Sequence, residues 1–436
     1  MKVLLYTQHG TSRLQYISHF IFEELMGVDC IITVDREAFE SYDGVKIDYY
    51  QDLVLETGFH LFAVDLLFEE DIVAHPIEWF EVLGHKAFFK TLNSDFPFDI
   101  FAASFYLLSR YEEYLPHIKD MYGRYAHENS LAFKNNFLHL PLINIWVHNF
   151  AASLQNKFPS FTFAWRPFKF IPTYDIDIAF SYKHKGLKRN IGGFFKSPSL
   201  ERIMILSGVG KDPFDSYDWL NALHEKYQLN PIYFFLLAAK NGMYDKNILP
   251  VNKALRKLIK WHAEKYTIGI HPSWQSGDDT SLLKKEIAQL KTKSGQKITF
   301  SRQHYIRFNL PGSYRLLIEN QITEDYSMGY GSINGFRASV ASSFFWYDLQ
   351  KDEATSLRIH PFCFMEANSF YEQHYTAAEA YDELLHYYQA CKNVNGQLIT
   401  IWHNNFLGTA QQFAGWREVY KKFIALVCNS ELDNLQ

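Results

Sequence analysis

The sequence predicts an α/β protein in which a seven-stranded (β/α) barrel follows a smaller α/β domain, and three observations lead there. Beyond residue 169, short apolar runs alternate with amphipathic stretches, a pattern that builds a parallel sheet. Seven such runs, ending near Asp177, Leu237, His271, Arg302, Tyr326, Phe364 and His403, fit into about 270 residues, which favours a barrel over an open sheet. Two prolines and irregular aromatics at 159–167 separate this part from an earlier α/β stretch, dividing the chain into residues 1–162 and 163–436. A chain of 436 residues is too long for one ordinary core and long enough for two.

Taken in order, the periodicity predicts a strand over 2–7, an amphipathic helix over 12–26 and a strand over 29–34. The turn Gln8-His9-Gly10-Thr11 lacks the Gly-rich dinucleotide fingerprint and reads as a plain connection. Mostly apolar helices follow over 98–114 and 142–158. Between the barrel strands, helices are expected near 215–227, 251–266, 280–292, 312–321 and 376–392. The basic segment 183–196 reads as a solvated loop after the first barrel strand, placed where it could cover the site or meet an anionic sugar.

Composition bounds the function. Apolar residues make up 47% and charged residues 21%, as in soluble globular proteins, and a formal charge of −5 argues against a nucleic-acid partner. The 17% aromatic share is explained first by bulky core packing. Four scattered cysteines, Cys30, Cys363, Cys391 and Cys428, form no metal or disulfide framework and fit a reducing compartment. No stretch reaches bilayer-spanning length and no signal segment opens the chain, so cytoplasmic residence without a membrane span is expected.

The chemistry is concentrated at strand ends, where α/β barrels place reactive groups. The apolar strand K-F-I-P-T-Y-D-I-D ends in Asp175 and Asp177, which alternation puts on one side, with Ile176 turned away. Like charges so close call for a cation or a shared proton. An isolated D-x-D is more often a strand running into an Asp-rich turn, and a lone His more often caps a loop carbonyl than binds a metal. Here, however, His271, His304 and His403 lie at or just past three further strand ends.

In motif order, residues 165–436 resemble the polysaccharide deacetylase (NodB homology, carbohydrate esterase family four) superfamily. The resemblance implies a NodB-type barrel with T-Y-D-I-D as the first motif, making Asp175 the general base and Asp177 a metal ligand. The family's second motif, usually H-x-x-x-H, matches His271 but has Gln275 at its partner position. Three protein ligands with an open position are the usual catalytic zinc arrangement, so His304 is the candidate that completes the set, with Ser273 and Gln275 as weaker alternatives. G-F-R-A-S resembles the third motif and implies that Arg337 orients the base, although Ser339 stands in place of proline. I-T-I-W-H resembles the last motif and implies that His403 is the general acid; Glu366 and Asp325 both qualify as the acid that tunes it. The chain also looks like a narrower two-domain set in that superfamily whose first domain is uncharacterised.

The resemblance implies a metal-dependent hydrolase that removes an acetyl group from an N-acetylated sugar or glycan precursor. A divalent ion is implied, zinc first, with cobalt or nickel as alternatives. Arg302, Asp325, Trp274, Tyr305 and Tyr330 lie beside the proposed catalytic positions as expected substrate contacts, the aromatics serving as stacking surfaces or as packing at the barrel mouth. Two other readings stay open: an allantoinase-like hydrolase of a different C–N bond, and a non-catalytic glycan-binding or assembly protein on the same scaffold.

Overall fold

In the computed structural model, which describes residues 2–51, 58–196 and 198–432, the chain opens with four parallel strands. These are β1 (Lys2–Tyr6), β2 (Asp29–Thr33), β3 (Val45–Tyr49) and β4 (Phe59–Leu61), in the order β2-β1-β3-β4. The Thr11 side chain caps helix Ser12–His19 by accepting from the Leu14 amide, and a π-helical turn, Phe20–Leu25, continues it. A small antiparallel hairpin, β5 (Phe80–Val82) with β6 (His85–Ala87), follows. Helix Ile100–Leu108 is buried at every position, so it is apolar all round instead of amphipathic. Asp99 caps it through the Ala102 amide and accepts a further bond from the Tyr49 hydroxyl.

That helix is shorter than the 98–114 expected from periodicity. Arg110 turns left-handed (φ +58°) and a 3₁₀ turn, Tyr111–Glu113, takes over. The turn aims Arg110, Glu112 and Glu113 into a buried ion network, which helical continuation would have spread around the axis. Helix Leu142–Lys157 matches its expected extent.

The second sheet has nine strands: β7 (Lys169–Ile176), β8 (Ile232–Leu236), β9 (Thr267–His271), β10 (Phe300–Ser301), β11 (Glu324–Asp325), β12 (Phe344–Asp348), β13 (Glu353–Ile359), β14 (Phe364–Met365) and β15 (Gln397–His403). Their order is β12-β13-β11-β10-β9-β8-β7-β15-β14, and all pairs are parallel except β12 with β13. Helices lie between the strands close to the expected positions, and Trp416–Leu432 closes the described chain. The segment expected as a basic loop contains helix Leu187–Lys196; the side chains of Lys188 and Lys196 lie outside the described residues.

The expected closed seven-stranded barrel is not formed. One edge of β13 pairs with β11 and the other with β12, a hairpin partner the sequence reading did not anticipate, so no β13 edge is left for β14. The connection His360-Pro361-Phe362-Cys363 contains a proline that donates no amide, and among the described residues isolated bonds stand in place of a ladder, from the Phe362 amide to the Met328 carbonyl (3.1 Å) and from the Gly335 amide to the Cys363 carbonyl (2.9 Å), while the Cys363 amide donates to Ile399 on β15 (3.4 Å). Side chains replace the ladder, with the Ser343 hydroxyl 2.7 Å from both His360 Nδ1 and Gln397 Oε1. The result is an open, mixed α/β sheet whose strand ladder is interrupted between β13 and β14.

The two sheets share one continuous hydrophobic core. Helix Ser12–His19 lies against β12 and β13: the Tyr16 hydroxyl donates to the Phe345 carbonyl (2.6 Å), and buried Arg13 pairs with Asp352 (2.7 Å). Among the described residues there is no disulfide and no helix long and apolar enough to cross a membrane.

Candidate metal and acid–base site

The paired acids sit where β7 ends. Asp175 is in register with His403 on β15 and Phe234 on β8, and Asp177 follows the last strand residue. Strand β9 delivers His271 as its final residue, and the turn after β10 delivers His304. Parallel strands thus bring residues more than 200 positions apart in sequence to one end of the sheet.

Each imidazole is oriented by its second nitrogen. His271 Nδ1 lies 2.5 Å from the Arg302 carbonyl, which only an N–H can satisfy, so in the neutral ring Nε2 carries the lone pair. That Nε2 is 3.1 Å from Asp177 Oδ1 and 3.8 Å from Asp175 Oδ2. His304 Nδ1 lies 3.0 Å from Asp245 Oδ1, with Nε2 3.3 Å from Asp177 Oδ2. Carboxylate or carbonyl partners of this type fix the tautomer of a ligating histidine. His403 receives Glu366 on both its backbone amide (2.6 Å) and Nδ1 (2.8 Å), leaving Nε2 3.4 Å from Asp177 Oδ2.

The charges reinforce one another. Burial would raise the Asp177 carboxyl, but His304, His271 and His403 outweigh it and hold the group well below the usual carboxylate range. For His304, burial acts downward, yet Asp177 and Asp245 push the imidazole up to about 9. His403 is likewise raised well above the ordinary histidine value, against burial, by Glu366 and Asp177.

Asp177, His271 and His304 fit a metal ion. One donor atom from each lies within 4.8 Å of the others, and Asp177 Oδ1 is buried with no hydrogen bond to satisfy it. One carboxylate and two imidazoles suit zinc and its neighbours in the first transition row. Of the alternatives for the third ligand, Gln275 Nε2 instead donates to Asp245 Oδ2 (3.3 Å), and the Ser273 hydroxyl is engaged with Ser276, donating to its hydroxyl (3.3 Å) and accepting from its amide (3.2 Å). Gln275 therefore braces the acid that orients His304.

The arginine assignment is overturned. Arg337 makes a two-pronged bond to Glu113 (2.6 and 2.8 Å) and donates to the Gly329 carbonyl (3.0 Å), so its guanidinium is engaged with other partners than Asp175. The guanidinium on Asp175 belongs to Arg302 (Nη1 to Oδ1, 2.8 Å), a residue expected to contact substrate. Arg302 is fully buried, anchored by Nε on the Tyr326 carbonyl (3.0 Å) and lying 4.5 Å over the Phe234 ring. Ser339 adopts φ +53°, which proline, locked near −65°, cannot reach, so the G-F-R-A-S segment differs in conformation from a motif built around proline.

Two further expected contacts are absent from the cleft lining. Asp325 is buried, accepting from Ser301 and Ser327, and burial pushes its carboxyl up to about 6. Of the two acids, Glu366 is the one that contacts His403. Tyr330 is buried with its hydroxyl accepting from Arg110 (3.3 Å). Trp274 stacks on Tyr244 at 3.9 Å, and Tyr305 lines the cleft beside His304, their ring centroids 4.7 Å apart.

The cleft over these groups encloses about 440 Å³ and is lined by Asp175, Asp177, His271, His304 and His403 together with Tyr122, Arg124 and Tyr244. Sequence reasoning missed Asp245, Tyr122, Arg124 and Tyr244. Asp245 carried a usable signal, a polar loop acid following the β8 strand, like the acids after β7. Nothing local marks Tyr122 or Arg124, because their relevance depends on a contact across 180 residues of chain.

The chain is similar to solved polysaccharide deacetylases. A protein from Mycobacterium smegmatis assigned to that class aligns at 15% identity with a TM-score of 0.40, covering 61% of this chain and 86% of the other. The polysaccharide deacetylase Bc1974 from Bacillus cereus aligns at 10% and 0.31 (59% and 86% covered), and the Xyl-CE4 domain of a multidomain xylanase from the hindgut metagenome of Trinervitermes trinervoides at 10% and 0.31 (61% and 84%). Residues 3–159 match a particular family of unknown function, DUF7033. No curated protein matches the chain in sequence. Likenesses this distant say nothing of chemistry, which has to come from the side chains.

Proposed function

We propose that the protein is a metal-dependent hydrolase that removes the acetyl group from an N-acetylated carbohydrate. The observation that carries this reading is the pairing of Asp175, ion-paired with Arg302, and His403, ion-paired with Glu366, in register on adjacent strands beside the Asp177–His271–His304 cluster. A base, an acid and a ligand set are what hydrolysis of an unactivated amide requires.

Asp177, His271 and His304 would hold zinc, with cobalt or nickel as alternatives, and the ion when bound supplies Lewis acidity to the amide carbonyl and acidity to water. Asp175 takes the proton of the attacking water, while Arg302 keeps the carboxylate aimed into the cleft. His403 Nε2, its imidazolium favoured by Glu366, delivers a proton to the departing amine nitrogen. Asp245 and the Arg302 carbonyl fix the ligand tautomers. Tyrosines 244 and 305 line the cleft with aromatic faces that suit the C–H face of a sugar ring.

The test is elemental analysis and zinc titration calorimetry on the wild type and on Asp177→Ala, His304→Ala and Gln275→Ala, with acetate release measured from acetamido sugars. One ion per chain, lost in the first two variants and kept in the third, is expected. Absence of any bound zinc, cobalt or nickel at micromolar concentrations in the wild type would sink the hydrolytic reading.

A further inference from the structure

The cleft is not built by the nine-stranded sheet alone. Segment 117–129, which precedes that sheet by forty residues, reaches across to it and is held in a defined shape. Asp120 accepts from the amides of Tyr122 (2.9 Å) and Arg124 (3.0 Å) and from Arg124 Nε (2.6 Å), and an isolated bridge joins Lys119 to Tyr125.

Three contacts pin this loop against the site. Arg124 Nη1 donates to the Tyr305 carbonyl (2.7 Å), the residue next to His304. Gly331 has no room for a side chain, since a Cβ there would stand 2.1 Å from that same Nη1 and 2.9 Å from the Tyr305 carbonyl. His127 Nδ1 lies 2.9 Å from the Ser332 hydroxyl. Tyr305 and Ile306 are both left-handed (φ +59° and +53°), an unfavourable conformation for a β-branched residue that the surroundings must enforce.

The position of the loop matters because the strand ladder is interrupted between β13 and β14. Residues 326–343 connect β11 to β12 there, and segment 117–129 contacts them through His127 and Ser332 and lines the cleft together with Gly331. The half-buried Tyr122 ring completes an aromatic wall with Tyr305 (5.5 Å), Tyr244 (6.0 Å) and Trp274 (6.1 Å), and the Arg124 guanidinium lies 4.7 Å from it. The volume of about 440 Å³ is that of a pocket for one small ligand.

We propose that the amino-terminal part is a specificity element of the active site: it closes one end of the cleft, so that the pocket takes a single terminal N-acetylated sugar, free or at a chain end, and excludes the interior of a polymer, with Tyr122 as the stacking residue. This rests on the deacetylase reading above. An interior residue needs an exit on both sides of the reacting ring, and Tyr122, Arg124 and Gly331 line the cleft beside Tyr305, in the path one of those exits would take.

The full-length, zinc-loaded chain is assayed with N-acetylglucosamine and its β-1,4-linked hexamer, and mass spectrometry locates the acetyl groups lost. The wild type is compared with Tyr122→Ala and Tyr122→Phe, and calorimetry of both sugars binding to the metal-free proteins gives a readout independent of turnover. Acetate from the monomer and from one hexamer terminus is expected. Tyr122→Ala then weakens monomer use and binding about tenfold and lets interior positions react, while Tyr122→Phe keeps the wild-type profile. Interior deacetylation by the wild type, or one length profile for all three proteins, overturns the inference and leaves the deacetylase reading standing. If neither sugar yields acetate, the reaction fails for these sugars and calorimetry decides the wall: monomer binding weakened by Ala and not by Phe upholds it, and equal or absent binding overturns it.

Discussion

Arg302 makes one bond to Asp175, one to the Tyr326 carbonyl and a face contact with Phe234, all from a position without solvent exposure. A planar guanidinium can do all three at once, whereas an ammonium is a point charge without the fork. Arg302→Lys is therefore expected to lower kcat by about a hundredfold with a much smaller change in KM, because it misplaces Asp175, the base of the proposed reaction, while the backbone carbonyl that orients His271 stays in place. Steady-state kinetics with metal content as the control checks this, and an unchanged kcat would remove Arg302 from the positioning role. The motif context that pointed to Arg337 was a local pattern, and orientation of Asp175 is a contact between β7 and the end of β10. Asp175, Asp177, His271, His304 and His403 were legible one by one because each sits at the polar end of an apolar run. Tyr122 was not, since a distant tyrosine comes to the cleft only through what the fold sets beside it.

At the scale of elements, the 3₁₀ turn Tyr111–Glu113 and the segment carrying Arg337 lock the two sheets together through four buried charges. Glu113 is surrounded by Arg337 and Arg110, which outweigh burial and hold its carboxyl down at about 2, against an ordinary value of 4.5. A depressed carboxylate stabilises the fold wherever it is ionised in both states, so this contribution is complete above pH 4.5 and is lost as pH falls toward 2. Glu113→Gln leaves two guanidiniums without their shared partner and is expected to cost about 3–5 kcal/mol at neutral pH. It should also flatten the acid limb of stability between those two pH values. Urea unfolding of both proteins across that range is the measurement, and parallel limbs would show that another acid governs the loss. Helical periodicity ran on to residue 114 because it registers apolar spacing and is blind to where charges must go.

Across the whole molecule, one hydrophobic core passes through both sheets, and buried Arg13, Arg110 and Arg337 cross or border the contact. The division into residues 1–162 and 163–436, proposed from composition at 159–167, implied a core for each part, whereas the shared core predicts that the two parts unfold as one. Differential scanning calorimetry should give a single transition, and residues 163–436 expressed alone should expose the apolar face that helix Ser12–His19 covers and aggregate. Two resolved transitions would show independent units. By itself the sequence determined the α/β alternation, where most strands end and which acids and histidines gather there, because strand periodicity and polar punctuation are local properties of the chain. Only the tertiary structure decided that the sheet stays open, that Arg302 and not Arg337 holds Asp175, and that a loop from the first sheet's half walls the cleft. Strand closure, ion-pair choice and loop docking are each settled by competition among partners distant in sequence, and no local pattern records which partner wins.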